Sequence, residues 1–473
     1  MTMPIETDYL VVGAGATALS FVDTLLSQDD KAEVVFVDRH ASPGGHWNDA
    51  YSFVALHQPS AVYGVEGVPL GHDRIDEHGP NKGYFELASG AEVSAYFQSV
   101  MRDHLLPTGR VQYFANSDYL GDNRFRNIFS GEETEVTVRR KLVDTTYFET
   151  SVPSTHKRKF DVQEGVRVVV PGALPDLWKS GDLPDHYCIL GAGKTAMDAG
   201  VWLLEAGIPA EQITWVKPRE SWLLNRAFVQ PGEQFFEETL KGQIAIMKAA
   251  GSAETVSGIF EQLEQDTVML RIDTDVEPEM FHYATISQGE VERLRHIRNV
   301  VRKGRVVKIE AGRMTLQHGD EKMAENTLYI DCTASAVRPK PVAPQWQEDR
   351  IVLQLLHVPL VTLNAAVSAF IEANFDSDEE KNALCKPVSF VDHIDGYAGT
   401  LAGTGMNRFL WAQNPQVSKF LSASRLDPAA PTIRWLQANA PERLAILGEM
   451  QAASMAAMPN LQRLAAKAQA DHG

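Results

Sequence analysis

Two stretches of this chain share one layout, and that layout constrains the fold more than any other feature. The first reads Tyr9-Leu10-Val11-Val12, then Gly13-Ala14-Gly15-Ala16-Thr17-Ala18, then apolar positions at Leu19, Val22, Leu25 and Leu26. The second reads Tyr187-Cys188-Ile189-Leu190, then Gly191-Ala192-Gly193-Lys194-Thr195-Ala196, then Met197, Val201 and Leu204. An apolar run, a glycine turn and a stretch with a period near 3.6 predict strand, turn and helix. Each is followed by a further apolar run, Val34–Val37 and Ile213–Val216, so a βαβ unit occurs twice.

The fold class expected is α/β, with two Rossmann-type dinucleotide-binding domains, the second inserted in the first, and a helical C-terminal region. The expected divisions are 1–152 for the first part, 153–325 for the second domain, and 326–473 for the return to the first domain and the helices. Residues 111–152 alternate apolar and polar positions, and 153–185 are proline-rich and read as a connection. Within the second domain, residues 228–299 read as a helical, acidic insertion. Residues 304–331 read as short strands.

The residue types in the first turn have physical reasons. Gly13 permits the tight strand-to-helix turn, Gly15 lets backbone approach a pyrophosphate with no Cβ between them, and Ala18 allows helix and strand to pack closely. The helix start offers unpaired N–H groups and a positive dipole end to phosphates. Asp38 ends the second strand, 25 positions after Gly13, with Arg39 beside it. Its carboxylate can accept hydrogen bonds from ribose hydroxyls and repels a 2′-phosphate.

Next comes Pro43-Gly44-Gly45-His46-Trp47. A GGxW sequence soon after such an acid resembles the flavin-containing monooxygenases and the wider group of two-dinucleotide-domain flavoproteins. The resemblance implies FAD at the first turn, contacted by Gly13, Gly15, Ala18, Asp38, Arg39, Gly44, Gly45, His46 and Trp47. It also implies that Leu56-His57-Gln58-Pro59-Ser60-Ala61-Val62-Tyr63 lies near the isoalloxazine ring, a surface loop being the alternative. The stretch Thr327-Leu328-Tyr329-Ile330-Asp331-Cys332-Thr333-Ala334 resembles the strand that returns to the FAD, which makes Thr333 and Ala334 contacts. Here Cys332-Thr333-Ala334 replaces the group's usual alanine-threonine-glycine, and a buried strand without ligand contact is the alternative. Catalytic candidates are His46, His57, Gln58 and Asn225.

The second turn differs. Lys194 follows Gly193, and Val216 is followed by Lys217-Pro218-Arg219-Glu220-Ser221 where an acid would otherwise bind ribose. Cations there suit the 2′-phosphate of NADPH. The expected NADP contacts are Gly191, Gly193, Lys194, Thr195, Ala196, Lys217 and Arg219. Trp222 and Asn225-Arg226 could face the nicotinamide and flavin, or simply close a domain interface.

The resemblance covers roughly residues 7 to 340 and implies hydride transfer from NADPH to FAD, then oxygenation of a small molecule by molecular oxygen. The fingerprint FxGxxxHxxx(W/P) of the monooxygenase classes is absent. The stretch before the second turn reads Phe160-Asp161-Val162-Gln163-Glu164-Gly165-Val166-Arg167-Val168-Val169-Val170-Pro171, without the histidine or its spacing. The flavoprotein resemblance survives that absence, which counts against the oxygenase step without removing it. A reductase or oxidase that passes electrons to another acceptor, and a flavin-binding protein without turnover, therefore stay open.

Composition excludes other classes. The 473 residues are 44% hydrophobic and 22% charged, enough for several folded domains, and the net charge of −18 disfavours nucleic acid or an anionic membrane as partner. Cys188, Cys332 and Cys385 form no CxxC pair, which disfavours a dithiol relay and a cysteine zinc site. His46, His57, His72, His156 and His393 show neither HxxxH nor HExxH spacing, no GxSxG elbow occurs, and no metal is expected. The start, Met1 to Leu10, has no basic segment with a long apolar run, and no run of about 18 apolar residues exists, so a cytoplasmic location is expected.

Overall fold

A computed structural model describes residues 5–148, 150–334, 337 and 340–472. The chain is mixed α/β. Its first sheet runs, edge to edge, Val111–Phe114, Val34–Val37, Ile5–Val12, Glu133–Asp144, Arg124–Asn127 and Ser117–Gly121, and Arg350–Val352 also pairs with Glu133–Asp144. The pairings among Val111–Phe114, Val34–Val37, Ile5–Val12, Glu133–Asp144 and Arg350–Val352 are parallel, while Ser117–Gly121 and Arg124–Asn127 extend the sheet as an antiparallel hairpin. Ile5–Val12 is central, with Val12 opposite Val37 on one side and Asp144 on the other.

The second sheet runs Asn299–Val301, Ile213–Val216, His186–Leu190, Thr327–Asp331 and Val168–Val169, all parallel. Parallel strands covered on both faces read as continuous apolar runs. Val34–Val37, Ile213–Val216 and Thr327–Asp331 are indeed buried at every position. Helix Ala16–Gln28 crosses from Ile5–Val12 to Val34–Val37, and Lys194–Glu205 crosses from His186–Leu190 to Ile213–Val216.

Two expectations need correction. The strand Thr327–Asp331 pairs with His186–Leu190 and so belongs to the second sheet, and the chain re-enters the first sheet through Arg350–Val352. Residues 228–299 contain the helices Phe236–Ser252, Val256–Gln265 and Gln288–Leu294, but also strands Met269–Leu270 and Met280–Ile286, which pair with Ser221–Asn225. The C-terminal region is helical, from Val361–Asn374 to Ile446–His472. Its last helix buries Ala457, Leu461 and Leu464 against Ala249, Ala250 and Ala253. Among the described residues no helix is long and apolar enough to cross a membrane.

Candidate functional site

Gly13 has φ +97, and a Cβ there would lie 2.6 Å from Thr145 Oγ1 at the end of the neighbouring strand. Gly15 precedes Ala16–Gln28, which opens without a side-chain cap, so its first N–H groups are left for another acceptor. The Gly44 N–H donates to the Ala14 carbonyl at 2.8 Å, with Gly44 at φ +129 and Gly45 at φ +56. This brings Gly45 against Gly15, so the two glycine segments form one cradle. Ala18 is fully buried beneath it.

His46 stacks on Trp47 with ring centroids 5.3 Å apart, and the Trp47 indole donates to the Tyr63 hydroxyl at 3.0 Å. Burial pushes the His46 imidazole down to about 4, so the ring is neutral near pH 7. At the other end of the cradle Asp38 is buried, accepting the Ala14 N–H at 2.6 Å and the His40 N–H at 2.7 Å. The Tyr113 hydroxyl is buried on the adjacent strand, within the field of Asp38, and has no hydrogen-bond partner. Arg39 is exposed, 3.6 Å from Asp118.

The second turn has the same geometry. Gly191 has φ +116, and a Cβ there would meet the Cys332 carbonyl at 2.7 Å. Gly193 precedes Lys194–Glu205, also uncapped, and a Cβ at Gly193 would meet nothing within 4 Å. Thr195 lies beside the Tyr51 hydroxyl, and Ala196 is fully buried. Thr333 and Ala334 follow Thr327–Asp331 and so lie by this turn, where Thr333 donates to Asp331 at 2.6 Å.

The cations expected to read a 2′-phosphate separate. Lys194 pairs with Asp198 and, at 3.2 Å, with Glu290, and is half-buried, not aimed at the end of Ile213–Val216. Lys217 is buried against the Trp215 ring and 3.2 Å from Glu220. Burial pushes its ammonium down. Glu220 folds back into this corner and also binds Arg302 at 2.8 Å, so an acid is present where the sequence pattern suggested none. Arg219 stays exposed.

The two turns are joined through residues 51–58. The Tyr51 hydroxyl donates to Asp198 at 2.7 Å, and Phe53 stacks on Trp202 at 5.0 Å. Arg226 donates to the His57 carbonyl and to Asn81 Oδ1, each at 3.0 Å, and pairs with Glu290 at 2.7 Å. Burial, then the Lys194 charge, pushes His57 down to about 4. Gln58 is half-buried in the same segment. Asn225 is otherwise employed: its side-chain Oδ1 accepts the Ala227 N–H and its Nδ2 donates to the Thr267 carbonyl, so it caps a turn. Trp222 is buried against Phe260, at 5.5 Å between centroids.

Asp198, Glu290 and His40 were not singled out from sequence, whereas Arg226, read there as facing the cofactors or closing a domain interface, bonds across the joint. Only Glu290 carried a local signal, the Ser287-x-x-Glu290 capping box.

No family model matches the chain. An uncharacterized protein of Mycobacterium tuberculosis and one of Mycobacterium bovis are each 42% identical over 423 residues, covering 89% of this chain and 78% of theirs. Among solved structures, an open cyclohexanone monooxygenase matches with TM-score 0.47 at 11% identity, covering 93% of this chain and 99% of that one. A mutant flavin monooxygenase from Stenotrophomonas maltophilia matches with TM-score 0.45 at 13% identity, covering 79% and 100%. The bacillithiol disulfide reductase of Staphylococcus aureus matches with TM-score 0.42 at 10% identity, covering 87% and 99%.

Proposed function

We propose, for a chain that belongs to the family of those uncharacterized mycobacterial proteins, an FAD- and NADPH-dependent oxidoreductase acting as a monooxygenase on a small molecule. The observation that carries this reading is the pair of glycine turns, each at the C-terminal end of a central parallel strand and each opening an uncapped helix. Rossmann-type units bind nucleotides at that position. The second unit falls between Glu133–Asp144 and Arg350–Val352 in sequence, as an inserted domain does.

The first turn fits FAD on two counts: a Cβ-free approach at Gly15 and Gly45, and an unpartnered Tyr113 hydroxyl beside the ribose acid. FAD held there supplies hydride acceptance from NADPH and electrons to oxygen, one oxygen atom entering the substrate and the other leaving as water. The chain's own share is to bind and orient. The two uncapped helix ends hold pyrophosphates, and neutral His46 beside the first turn and neutral His57 at the joint bring no charge. Tyr51, Phe53 and Arg226 keep the second turn facing the first.

The visible spectrum of the purified protein shows whether flavin is present. NADPH consumption with product mass then decides the reaction. A mass gain of one oxygen supports oxygenation, and altered product without it supports a reductase or oxidase, the reading favoured by the missing fingerprint histidine. A flavin-bearing protein that consumes no NADPH is a binding protein.

A further inference from the structure

His40 lies between two carboxylates from different segments. Its Nδ1 is 2.9 Å from Asp38 Oδ1, at the end of Val34–Val37, and its Nε2 is 2.9 Å from Asp49 Oδ2, at the end of the short turn Gly45–Asp49. An ionised carboxylate only accepts, and a neutral imidazole has one N–H. Both contacts are satisfied together only by an imidazolium.

This bridge completes a ring of contacts around the first cradle. Asp38 holds the glycine turn through the Ala14 N–H, and the Ala14 carbonyl holds Gly44. His40 then ties Asp38 to the far end of the Gly44-Gly45 turn. We propose that His40, as a cation, is a positioning residue for FAD, fixing the Gly44-Gly45 turn against the first glycine turn and offsetting negative charge where the dinucleotide binds.

The inference rests on the reading of the first turn as the FAD site. Asp38 and Asp49 place two negative charges at this corner, and His40 reduces the sum to one. Losing its proton removes one hydrogen bond and restores the second negative charge, and both changes oppose a pyrophosphate.

The other titratable and charged groups facing this corner are His46, Tyr113 and Arg39. On the following turn His46 is held neutral by burial. On Val111–Phe114 burial and Asp38 push the Tyr113 hydroxyl far up. On the segment itself Arg39 is exposed and paired with Asp118. The Asp38 hydrogen bond, and then that of Asp49 against the cost of burial, push His40 up to about 9. The contribution to FAD binding is therefore complete while the ring stays protonated and is lost as pH rises through about 9.

The test compares the full-length parent with His40→Gln and His40→Arg, all checked for folding by circular dichroism. FAD affinity is measured by ultrafiltration from pH 6.5 to 9.5, and the His40 ring by its 15N shifts. The parent should lose about threefold in affinity by pH 9.5, with a doubly protonated ring at pH 8. His40→Gln should bind about tenfold more weakly at pH 7 and show no such limb. His40→Arg, charged throughout, should keep parental affinity and also lack the limb.

His40→Gln with parental affinity, a limb that survives in both variants, a neutral parental ring at pH 8, or His40→Arg no better than His40→Gln each overturns the inference. A folded parent that binds no FAD overturns the flavin reading itself, and so fails differently from a normal binder indifferent to His40.

Discussion

At Gly15 and Gly193 the constraint is space and not torsion. Their φ values are −84 and −79, open to any residue. An alanine Cβ at Gly15 would make ordinary contact with Gly45 Cα at 3.5 Å, and one at Gly193 would meet no atom of the chain. Gly15→Ala and Gly193→Ala should therefore fold with the parental melting temperature, and what they obstruct is a ligand. Gly15→Ala should lower the flavin content of the purified protein and leave NADPH affinity unchanged, and Gly193→Ala should do the reverse. Parental binding of both cofactors by both variants would remove the two turns from the site. Gly13→Ala differs, because its φ of +97 and the Thr145 Oγ1 contact make it a folding defect of about 1–2 kcal/mol or more. At the second turn Glu220 and Asp273 already neutralise Lys217 and Arg302, which leaves Arg219 as the exposed cation for a 2′-phosphate. Arg219→Ala should weaken NADPH about ten- to a hundredfold while leaving NADH nearly untouched, in line with the loss of one charge-assisted bond. Equal weakening of the two nicotinamides in a titration would show that Arg219 does not read the phosphate.

Helix Val361–Asn374 is buried along nearly its whole length and packs on Ala16–Gln28, so the first cradle depends on the placing of a distant helix. Its Glu372 is buried, accepting from the Tyr9 hydroxyl at 2.7 Å, the Trp346 indole at 2.8 Å and the Lys381 ammonium at 2.5 Å. Lys381→Met strips this carboxylate of its buried cation and should cost about 3–5 kcal/mol in urea unfolding. The double variant Glu372→Gln with Lys381→Met should recover much of that loss, since no bare charge remains, and additive losses would refute the pairing.

Elements of this kind also show what was legible in the sequence. Both glycine turns could be read because everything they need lies within a few positions along the chain. The partnership of Gly44-Gly45 with the first turn came from the family resemblance, and the Gly44 N–H to Ala14 bond gives it a physical basis. The apolar run Thr327–Asp331 announced a strand but carried no mark of its sheet, so it was assigned to the wrong one. The three residues Arg350–Val352 that actually return to the first sheet are too few to show a period. Asn225 looked available for chemistry only because its partners, Ala227 and Thr267, cannot be seen from composition.

At the scale of the whole molecule, four charged side chains, none more than 12% exposed, join the parts of the chain that carry the two glycine turns. Lys194 and Asp198 belong to the second glycine-turn helix, Glu290 to Gln288–Leu294, and Arg226 reaches the His57 carbonyl in the first half. No sequence pattern links residues 57, 194, 226 and 290, which is why this joint appears only in three dimensions. Burial pushes the Glu290 carboxyl up, but the Lys194 and Arg226 cations outweigh it and hold the group at about 2. A carboxyl lowered in this way stabilises the fold fully above its ordinary value of 4.5, and the contribution fades as pH falls toward 2. The joint should therefore be insensitive to pH from 5 to 8. Glu290→Gln keeps the shape and removes the charge, leaving Arg226, 1% exposed, without its anion. Breaking a buried pair in this way costs about 3–5 kcal/mol, and here the loss falls on contacts between the halves. Calorimetry of Glu290→Gln at pH 7 should show the parental transition lowered and divided, with flavin release following one component. Rates of flavin reduction by NADPH should fall while the affinity for each cofactor is kept, since each turn is intact and only their alignment is lost. A single undivided transition at the parental temperature, with parental reduction rates, would mean that the halves are held together elsewhere.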